Sequence, residues 1–227
     1  MKRTAVIALL FLICLAASAV AQDAIPAPEV EKPAVPQPQT PEDFFELAVT
    51  CFQKGDLAGS ERHCRTAIAL KSHYQEAHYL LGRVLIFRAA QKNRLLIEQR
   101  GSGGAVLPRA EKWAEGENDL QEAVGQFRIV IKLDPSGTDA WLLLGTALDN
   151  LGQPDEAINA YKQTINLNPA SQNARDAHNN LGLVYLSKKE FAKAKAQFEA
   201  ALALDPSFNA SRLNLEKLRK RKPKLFK

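Results

Sequence analysis

The sequence is poor in the residues that carry disulfide, redox and metal chemistry. Its 227 residues include three cysteines, one methionine, two tryptophans and four histidines. Three cysteines are too few for a disulfide framework. The content of 46% hydrophobic and 24% charged residues excludes disorder for most of the chain. With a modest formal net charge of +5, the composition indicates a globular protein and no particular chemistry.

No catalytic or metal-binding motif is present in the sequence. It contains no G-x-S-x-G, H-E-x-x-H or S-x-x-K motif and no nucleotide-binding fingerprint. The glycine-rich stretch Gly101–Gly104 lacks the Lys-Ser/Thr ending of a phosphate loop. Two cysteines and two histidines lie near one another without the tight pairs typical of zinc sites: Cys51, His63, Cys64 and His73. We therefore expect no enzyme activity, no catalytic residue, no metal and no cofactor.

The N-terminal residues have the features of a secretory signal. Lys2 and Arg3 precede an apolar run over residues 5–16, which is short for a membrane span. Ala19 and Ala21 form an A-x-A site, which predicts cleavage before Gln22. A lipid anchor through Cys14 is the alternative, but the bulky Ile13 before it disfavours that reading. We expect residues 1–21 to be a signal peptide and the mature chain to be periplasmic or secreted.

Residues 22–40 are expected to form an extended linker. The segment carries five prolines and no apolar periodicity, so it cannot contribute to a packed core.

From residue 41 onward the sequence repeats itself. Two series of seven residues are related by a constant offset of 37: Trp141, Leu144, Gly145, Leu148, Ala157, Tyr161 and Pro169, then His178, Leu181, Gly182, Tyr185, Ala194, Phe198 and Pro206. The spacing resembles the tetratricopeptide repeat, a helix–turn–helix unit of 34 residues. Two earlier copies match more weakly. The expected units are 41–74, 75–137 with an insertion of about 29 residues at 89–117, 138–171 and 175–208.

The resemblance implies an all-α fold, a right-handed α-solenoid of four helical hairpins. Positions are counted here from the first residue of each unit, with the insertion left out. Position eight is always small (Ala48, Gly82, Gly145 and Gly182), as is position twenty, which lets the two helices of a hairpin approach closely. Since one hairpin cannot bury its apolar face alone, the units are expected to stack, with the first helices lining a concave face.

The insertion in the second unit predicts a lengthened helical hairpin. Its midpoint falls in Gly101–Gly104, so both helices are expected to be extended, the first to about Arg100 and the second from about Arg109 to Leu133. Three further residues, within Ser171–Ala174, are expected to separate the last two units. The extended hairpin is interpreted either as a solvent-exposed decoration or as a second binding surface.

The resemblance implies a protein-interaction scaffold, and the groove positions indicate its partner. Eight of the twelve residues at positions five, nine and twelve are apolar or aromatic: Phe45, Val49, Phe52, Tyr79, Arg83, Ile86, Leu142, Thr146, Asp149, Asn179, Leu183 and Leu186. The pattern departs from repeats that grip a C-terminal carboxylate, because only Asn180 matches one such position. A continuous apolar groove predicts an amphipathic helix or extended peptide as ligand. The acids at position two are interpreted as helix-dipole partners.

Several features leave alternatives open. His78 and His178 are expected to pack in the core. Cys51 and Cys64 are interpreted as two buried thiols or, less well on their helical spacing, as a disulfide. Residues 209–227 are expected to form a capping helix followed, over residues 219–227, by a mobile basic tail, since Arg212–Lys227 holds eight basic residues and one acidic residue.

That basic end is interpreted as solvated or as a contact with an anionic surface, and nucleic acid is not expected as a partner.

The sequence predicts an adaptor of the bacterial cell envelope that binds a protein partner. The alternative is a self-assembling structural protein that uses the groove or the hairpin as a homo-oligomer contact.

Overall fold

The computed structural model describes residues 38–99 and 116–227. In these ranges the chain forms nine α-helices, a final 3₁₀ turn over Pro223–Phe226, and no strand. The helices are α1 (Pro41–Gln53), α2 (Leu57–Leu70), α3 (Gln75–Gln99), α4 (Glu117–Leu133), α5 (Thr138–Asn150), α6 (Pro154–Leu167), α7 (Gln172–Ser187), α8 (Phe191–Leu204) and α9 (Asn209–Arg221). The predicted signal peptide, nearly all of the linker and the centre of the insertion lie outside the described residues.

The helices pack as consecutive hairpins. The closest pairs are α1 with α2, α3 with α4, α5 with α6 and α7 with α8. The second helix of each pair also packs on the first helix of the next, and α9 packs on α8. One apolar cluster runs through all four hairpins, from Ala48 in α1 to Leu218 in α9. The prediction of an all-α solenoid is confirmed.

Local signals in the sequence place the helix ends. The Thr40 hydroxyl accepts a hydrogen bond from the Asp43 amide at 3.1 Å, and the Asp43 carboxylate accepts one from the Thr40 amide at 2.9 Å, a capping box that starts α1. The Asp56 carboxylate accepts from the Gly59 amide at 2.8 Å and so caps α2. The turns inside the first and third hairpins place Gly55 and Gly152 at φ of +79° and +75°, a conformation that glycine adopts without a Cβ penalty.

Inside three hairpins, a glycine makes room for an aromatic ring. A Cβ on Gly82 would lie 2.7 Å from the ring of Phe127, and one on Gly145 would lie 2.6 Å from the ring of Tyr161. The same relation holds for Gly182 and Phe198. All three rings are fully buried. In the first hairpin Ala48 and Cys64 occupy the equivalent positions and are fully buried too, so a small side chain replaces the ring where position eight is not glycine.

A network of ion pairs joins α2, α3 and α4. Arg88 in α3 donates to both carboxylate oxygens of Asp119 in α4, at 2.7 and 3.0 Å, and also pairs with Glu61 in α2. Lys92 lies 2.8 Å from Asp119. Burial alone would raise the pKa of Asp119, but the hydrogen bonds from Arg88 and Lys92 outweigh it and hold that pKa below its ordinary value. The network ties the first hairpin to the lengthened second one.

The first arm of the second hairpin is extended, as predicted. Its helix, α3, has 25 residues, against 13 for α1 and for α5. The predicted start of the second arm, at about Arg109, lies outside the described residues, in which α4 runs from Glu117 to Leu133. Gly116, just before α4, approaches α3 so closely that a Cβ on it would lie 2.7 Å from the Cβ of Ala89.

The three extra residues before the fourth hairpin are not a spacer between units. They belong to the first turn of α7, which begins at Gln172 and has 16 residues. The Ser171 hydroxyl caps this turn by accepting a hydrogen bond from the Ala174 amide at 3.1 Å.

The C-terminal residues fold back on the solenoid. The prediction of a mobile basic tail over residues 219–227 is wrong for this structure, because α9 continues to Arg221 and the following turn packs Leu225 and Phe226 against the core. Lys195 in α8 donates to the Leu225 carbonyl at 3.0 Å, which fixes the turn in place.

The buried polar side chains of the hairpins have structural roles. Nδ1 of His78 lies 2.6 Å from the Gln126 side-chain oxygen, and Nδ1 of His178 lies 2.7 Å from that of Gln197. His78 is buried, as predicted, whereas His178 is half-buried. Cys51 and Cys64 are free thiols rather than a disulfide, and burial raises the pKa of Cys64 to about 12.

Candidate functional site

A cavity of about 710 Å³ opens between the first helices of the first three hairpins. Five of the predicted groove residues line it: Phe45, Val49, Phe52, Tyr79 and Arg83. The other lining residues come from α1, α3, the end of α4 and the start of α5: Gln53, Gln75, Glu76, Leu80, Val130, Asp134, Gly137, Asp139 and Ala140.

Aromatic rings form one wall of the cavity. The ring of Phe45 lies 5.3 Å from that of Tyr74, and the ring of Phe52 lies 5.4 Å from that of Phe87, edge to face. Tyr79 contacts the buried Phe127 at 6.2 Å between ring centroids. The wall is therefore held in place from behind by the hydrophobic core.

Arg83 crosses this wall with its guanidinium stacked on two rings. Its Cζ lies 4.9 Å from the ring centroid of Phe52 and 5.8 Å from that of Tyr79. Such stacking orients the planar group and leaves its N–H donors available at the edge. No ion pair joins Arg83 to a carboxylate in residues 38–99 and 116–227. This guanidinium is the one basic group among the residues that line the cavity.

Three carboxylates also line the cavity, those of Glu76, Asp134 and Asp139. Hydrogen bonds from the Ser136 hydroxyl at 2.6 Å and from the Ser136 amide at 2.9 Å lower the pKa of Asp134. Burial, with a smaller contribution from the charge of Asp139, raises the pKa of Tyr79. The cavity thus combines an aromatic wall with one cation and three carboxylates.

The remaining predicted groove residues do not extend the cavity along the whole solenoid. Ile86, Leu142, Thr146 and Leu186 are half-buried, and Leu183 is exposed. The prediction of an accessible groove is wrong at two positions, where the side chains are buried: Asp149 and Asn179.

Asn179 is buried because the closing helix covers it. Its side-chain oxygen accepts a hydrogen bond from the Ser211 hydroxyl at 3.0 Å and another from the Asn214 side chain at 3.1 Å. This asparagine therefore attaches α9 to α7. Counting positions within a repeat cannot reveal this, because α9 is not part of a repeat.

Sequence reasoning missed the acidic residues that line the cavity. Glu76 and Asp139 recur at position two and were interpreted only as helix-dipole partners, although their recurrence was a signal. Val130 and Asp134 also line the cavity, but they lie at the end of α4, the second helix of its hairpin. The prediction considered only residues of the first helices and therefore left them out.

The described part of the chain offers no other obvious chemical centre. Within it, no group of three or more His, Cys, Asp or Glu side chains could hold a metal ion. None of the described helices combines the length and the hydrophobicity of a membrane span.

Comparison with known proteins identifies the repeats. The tetratricopeptide repeat family model matches residues 114–171 and again residues 142–207. Residues 114–207 are therefore similar to tetratricopeptide repeats. Human tetratricopeptide repeat protein 5 is 21% identical over 197 residues, which cover 80% of this chain and 38% of that protein. Tetratricopeptide repeat protein 37 of Xenopus laevis is 34% identical over 65 residues, 29% of this chain and 4% of that protein. The chain thus spans well under half the length of either relative.

Solved structures share the fold of these repeats. MamA has a TM-score of 0.61 and 21% identity, covering 82% of this chain and 87% of its own. PilF of Pseudomonas aeruginosa has a TM-score of 0.60 and 18% identity, covering 81% and 69%. PilW, a type IV pilus biogenesis factor, has a TM-score of 0.59 and 15% identity, covering 81% and 70%. At these identities the similarity establishes the tetratricopeptide-repeat solenoid fold.

Proposed function

We propose that this protein is a scaffold that binds a helix or an extended apolar segment of a protein partner in the cavity between α1, α3 and α5. The observation that carries the proposal is the aromatic wall of Phe45, Phe52 and Tyr79, which remains accessible although the core holds it rigidly. Rigid, concave apolar surfaces with a few oriented polar groups are typical of ligand sites. Aromatic anchors in such sites carry much of the binding energy.

The charges around the wall define the chemistry of the partner segment. One large apolar side chain would fill the space between the rings. A carboxylate of the segment would pair with the guanidinium of Arg83, which has a planar donor fork suited to that group. A lysine or arginine next to it would pair with Glu76 or Asp139, which line the same cavity. We therefore expect a ligand with an acidic residue, an apolar residue and a basic residue in close succession.

We further propose that the scaffold works in the bacterial cell envelope, at a periplasmic or secreted location. Residues 1–21 have the composition of a secretory signal, which supports export. PilF and PilW share the solenoid fold, and PilW is a type IV pilus biogenesis factor. An export test with the first 30 or so residues fused to a reporter enzyme that is active only outside the cytosol examines this part separately.

Peptides selected on the protein test the binding site. Random peptides of about twelve residues are selected on the immobilised wild-type chain, and their dissociation constants are measured against variants. We expect Phe52→Asp to weaken binding about 30-fold or more, because it places a charge in the apolar wall. Leu70→Asp is the matched control, since Leu70 is 53% exposed on α2 and outside the cavity.

The two variants give a clear outcome. Unchanged far-ultraviolet circular dichroism establishes that both variants keep their helices. Equal affinity of the selected peptides for Phe52→Asp and for wild type would place the binding surface elsewhere and contradict the proposal.

A homo-oligomer contact is the second candidate for the same surface. Phe87 is 51% exposed and its ring packs on Phe52, so an apolar patch continues outward from the cavity. A second copy of the chain would cover such a patch. Sedimentation velocity at rising concentration distinguishes the two: a monomer at high concentration removes this candidate, whereas a dimer that Phe87→Asp dissociates would favour it.

A further inference from the structure

The C-terminal end of the solenoid presents cations that are held in place by aromatic rings. Nζ of Lys222 lies 4.6 Å from the ring centroid of Phe191, and Cζ of Arg221 lies 5.9 Å from it. On the neighbouring ring of Phe226, Nζ of Lys195 lies at 4.7 Å and Cζ of Arg219 at 5.8 Å. These contacts orient side chains that would otherwise move freely in solvent.

The cations of this end have few anionic neighbours. Among the described residues, Lys220 pairs with Glu216 at 2.6 Å, and Lys195 lies 3.6 Å from Glu199. No carboxylate in the described ranges pairs with Arg221, Lys222 or Lys224. All three are exposed, so the surface keeps an uncompensated positive charge.

These three cations surround a cleft with an apolar floor. The cleft has a volume of about 500 Å³ and lies between the start of α8 and the turn after α9. Phe191 and Leu225 form much of the floor, and Arg221, Lys222 and Lys224 line the same space. The site therefore combines three cations with apolar side chains in one cleft.

We propose that this cleft binds the phosphodiester headgroup of an anionic phospholipid in a bilayer surface. The phosphate would pair with Arg221, Lys222 and Lys224, and the glycerol and upper acyl carbons would contact Phe191 and Leu225. A phospholipid carries a phosphate and hydrocarbon in one molecule, which matches a cleft lined by cations and apolar side chains. This lipid site is distinct from the peptide cavity between α1, α3 and α5. A negative result at one site therefore leaves the proposal for the other unaffected.

Two other polyanions fit the cleft less well. Single-stranded nucleic acid binds through bases stacked on free aromatic faces. Here Phe191 is the one aromatic residue that lines the cleft, so successive bases have no row of rings on which to stack. An acidic protein segment would satisfy the charges but would leave the floor of Phe191 and Leu225 without an apolar partner.

Vesicle binding of the full chain tests the proposal. Vesicles of phosphatidylcholine with about 30% phosphatidylglycerol are compared with vesicles of phosphatidylcholine alone. The neutral vesicles measure any insertion of the apolar N-terminal run, which is present in every variant. We expect the anionic vesicles to bind more tightly, and the variant R221Q/K222Q/K224Q to lose about fivefold per cation, about 100-fold in all.

A second triple variant separates the cleft from diffuse attraction. R212Q/K217Q/K220Q removes the same charge from α9 at positions that do not line the cleft. We expect this control variant to lose less than about 10-fold in affinity for the anionic vesicles, against about 100-fold for the cleft variant.

Three results would overturn the proposal. They are equal losses in both triple variants, equal binding to neutral and anionic vesicles, and tighter binding of single-stranded DNA or of a polyglutamate peptide than of anionic vesicles.

Discussion

Replacing Gly145 by valine is expected to destabilise the protein by about 3 kcal/mol. A Cβ at this position would lie 2.6 Å from the fully buried ring of Tyr161, and the two further carbons of valine would enter the same space. The ring cannot move aside, because close-packed neighbours surround it in the core. Urea unfolding followed by circular dichroism measures the change as a lower midpoint at unchanged slope.

Gly125 supplies the matched control for this prediction. It also lies within a helix, α4, but a Cβ there would meet no atom within 4 Å. Gly125→Ala is therefore expected to stabilise the protein by about 0.5–1 kcal/mol, through helix propensity alone. If Gly145→Val left the midpoint unchanged, or if both substitutions had the same sign, the proposed glycine–ring packing of the hairpins would be wrong.

Replacing Asp119 by alanine is expected to cost about 3 kcal/mol at neutral pH. The side chain of Asp119 is 7% exposed and pairs with Arg88 and Lys92, so its removal leaves Arg88 without its main partner at a half-buried site. Asp155→Ala serves as control, since its carboxylate pairs with Lys188 while 82% of its side chain is exposed. Such a surface pair is expected to contribute little.

The contribution of Asp119 has a predicted dependence on pH. Its pKa is lowered in the folded state, so the carboxylate stabilises the fold above its ordinary pKa of about 3.9. The stabilisation is lost as the pH falls through the lowered, folded-state pKa. The difference in unfolding free energy between wild type and Asp119→Ala should therefore be constant from pH 7 to about 5 and shrink below about 4. A constant difference down to pH 2 would contradict the assigned ion pairs.

The repeat pattern in the sequence predicts most of the fold but not its ends. Spacing alone predicts the hairpins, because Leu, Gly, Ala and aromatic residues recur where two helices must approach. It does not predict that Gly145 accommodates the ring of Tyr161 at position twenty-four, since the expected contact was with position twenty. It also fails at the C-terminus, where the charged composition suggests a mobile tail but Leu225 and Phe226 pack on the core.

The sequence predicts the aromatic wall of the candidate site but not its other residues. Phe45, Phe52 and Tyr79 are predicted by their positions, because first helices line the concave side of such repeats. Asn179 also lies on a first helix, but it is covered by α9, a helix outside the repeat pattern. Asp134 lies at the C-cap of α4, a second helix. It lines the cavity only because the third hairpin stacks on the second.

Crosslink mapping tests the central claim, that a partner segment binds against the aromatic wall of the first helices. A selected peptide carries a photoreactive benzoylphenylalanine at its apolar position, and the attached residues are identified by mass spectrometry. We expect adducts on Val49, Phe52 and Tyr79, and loss of these adducts in Phe52→Asp. Adducts found instead on the exposed faces of α2 or α6, for example at Arg62 or Lys162, would contradict the account.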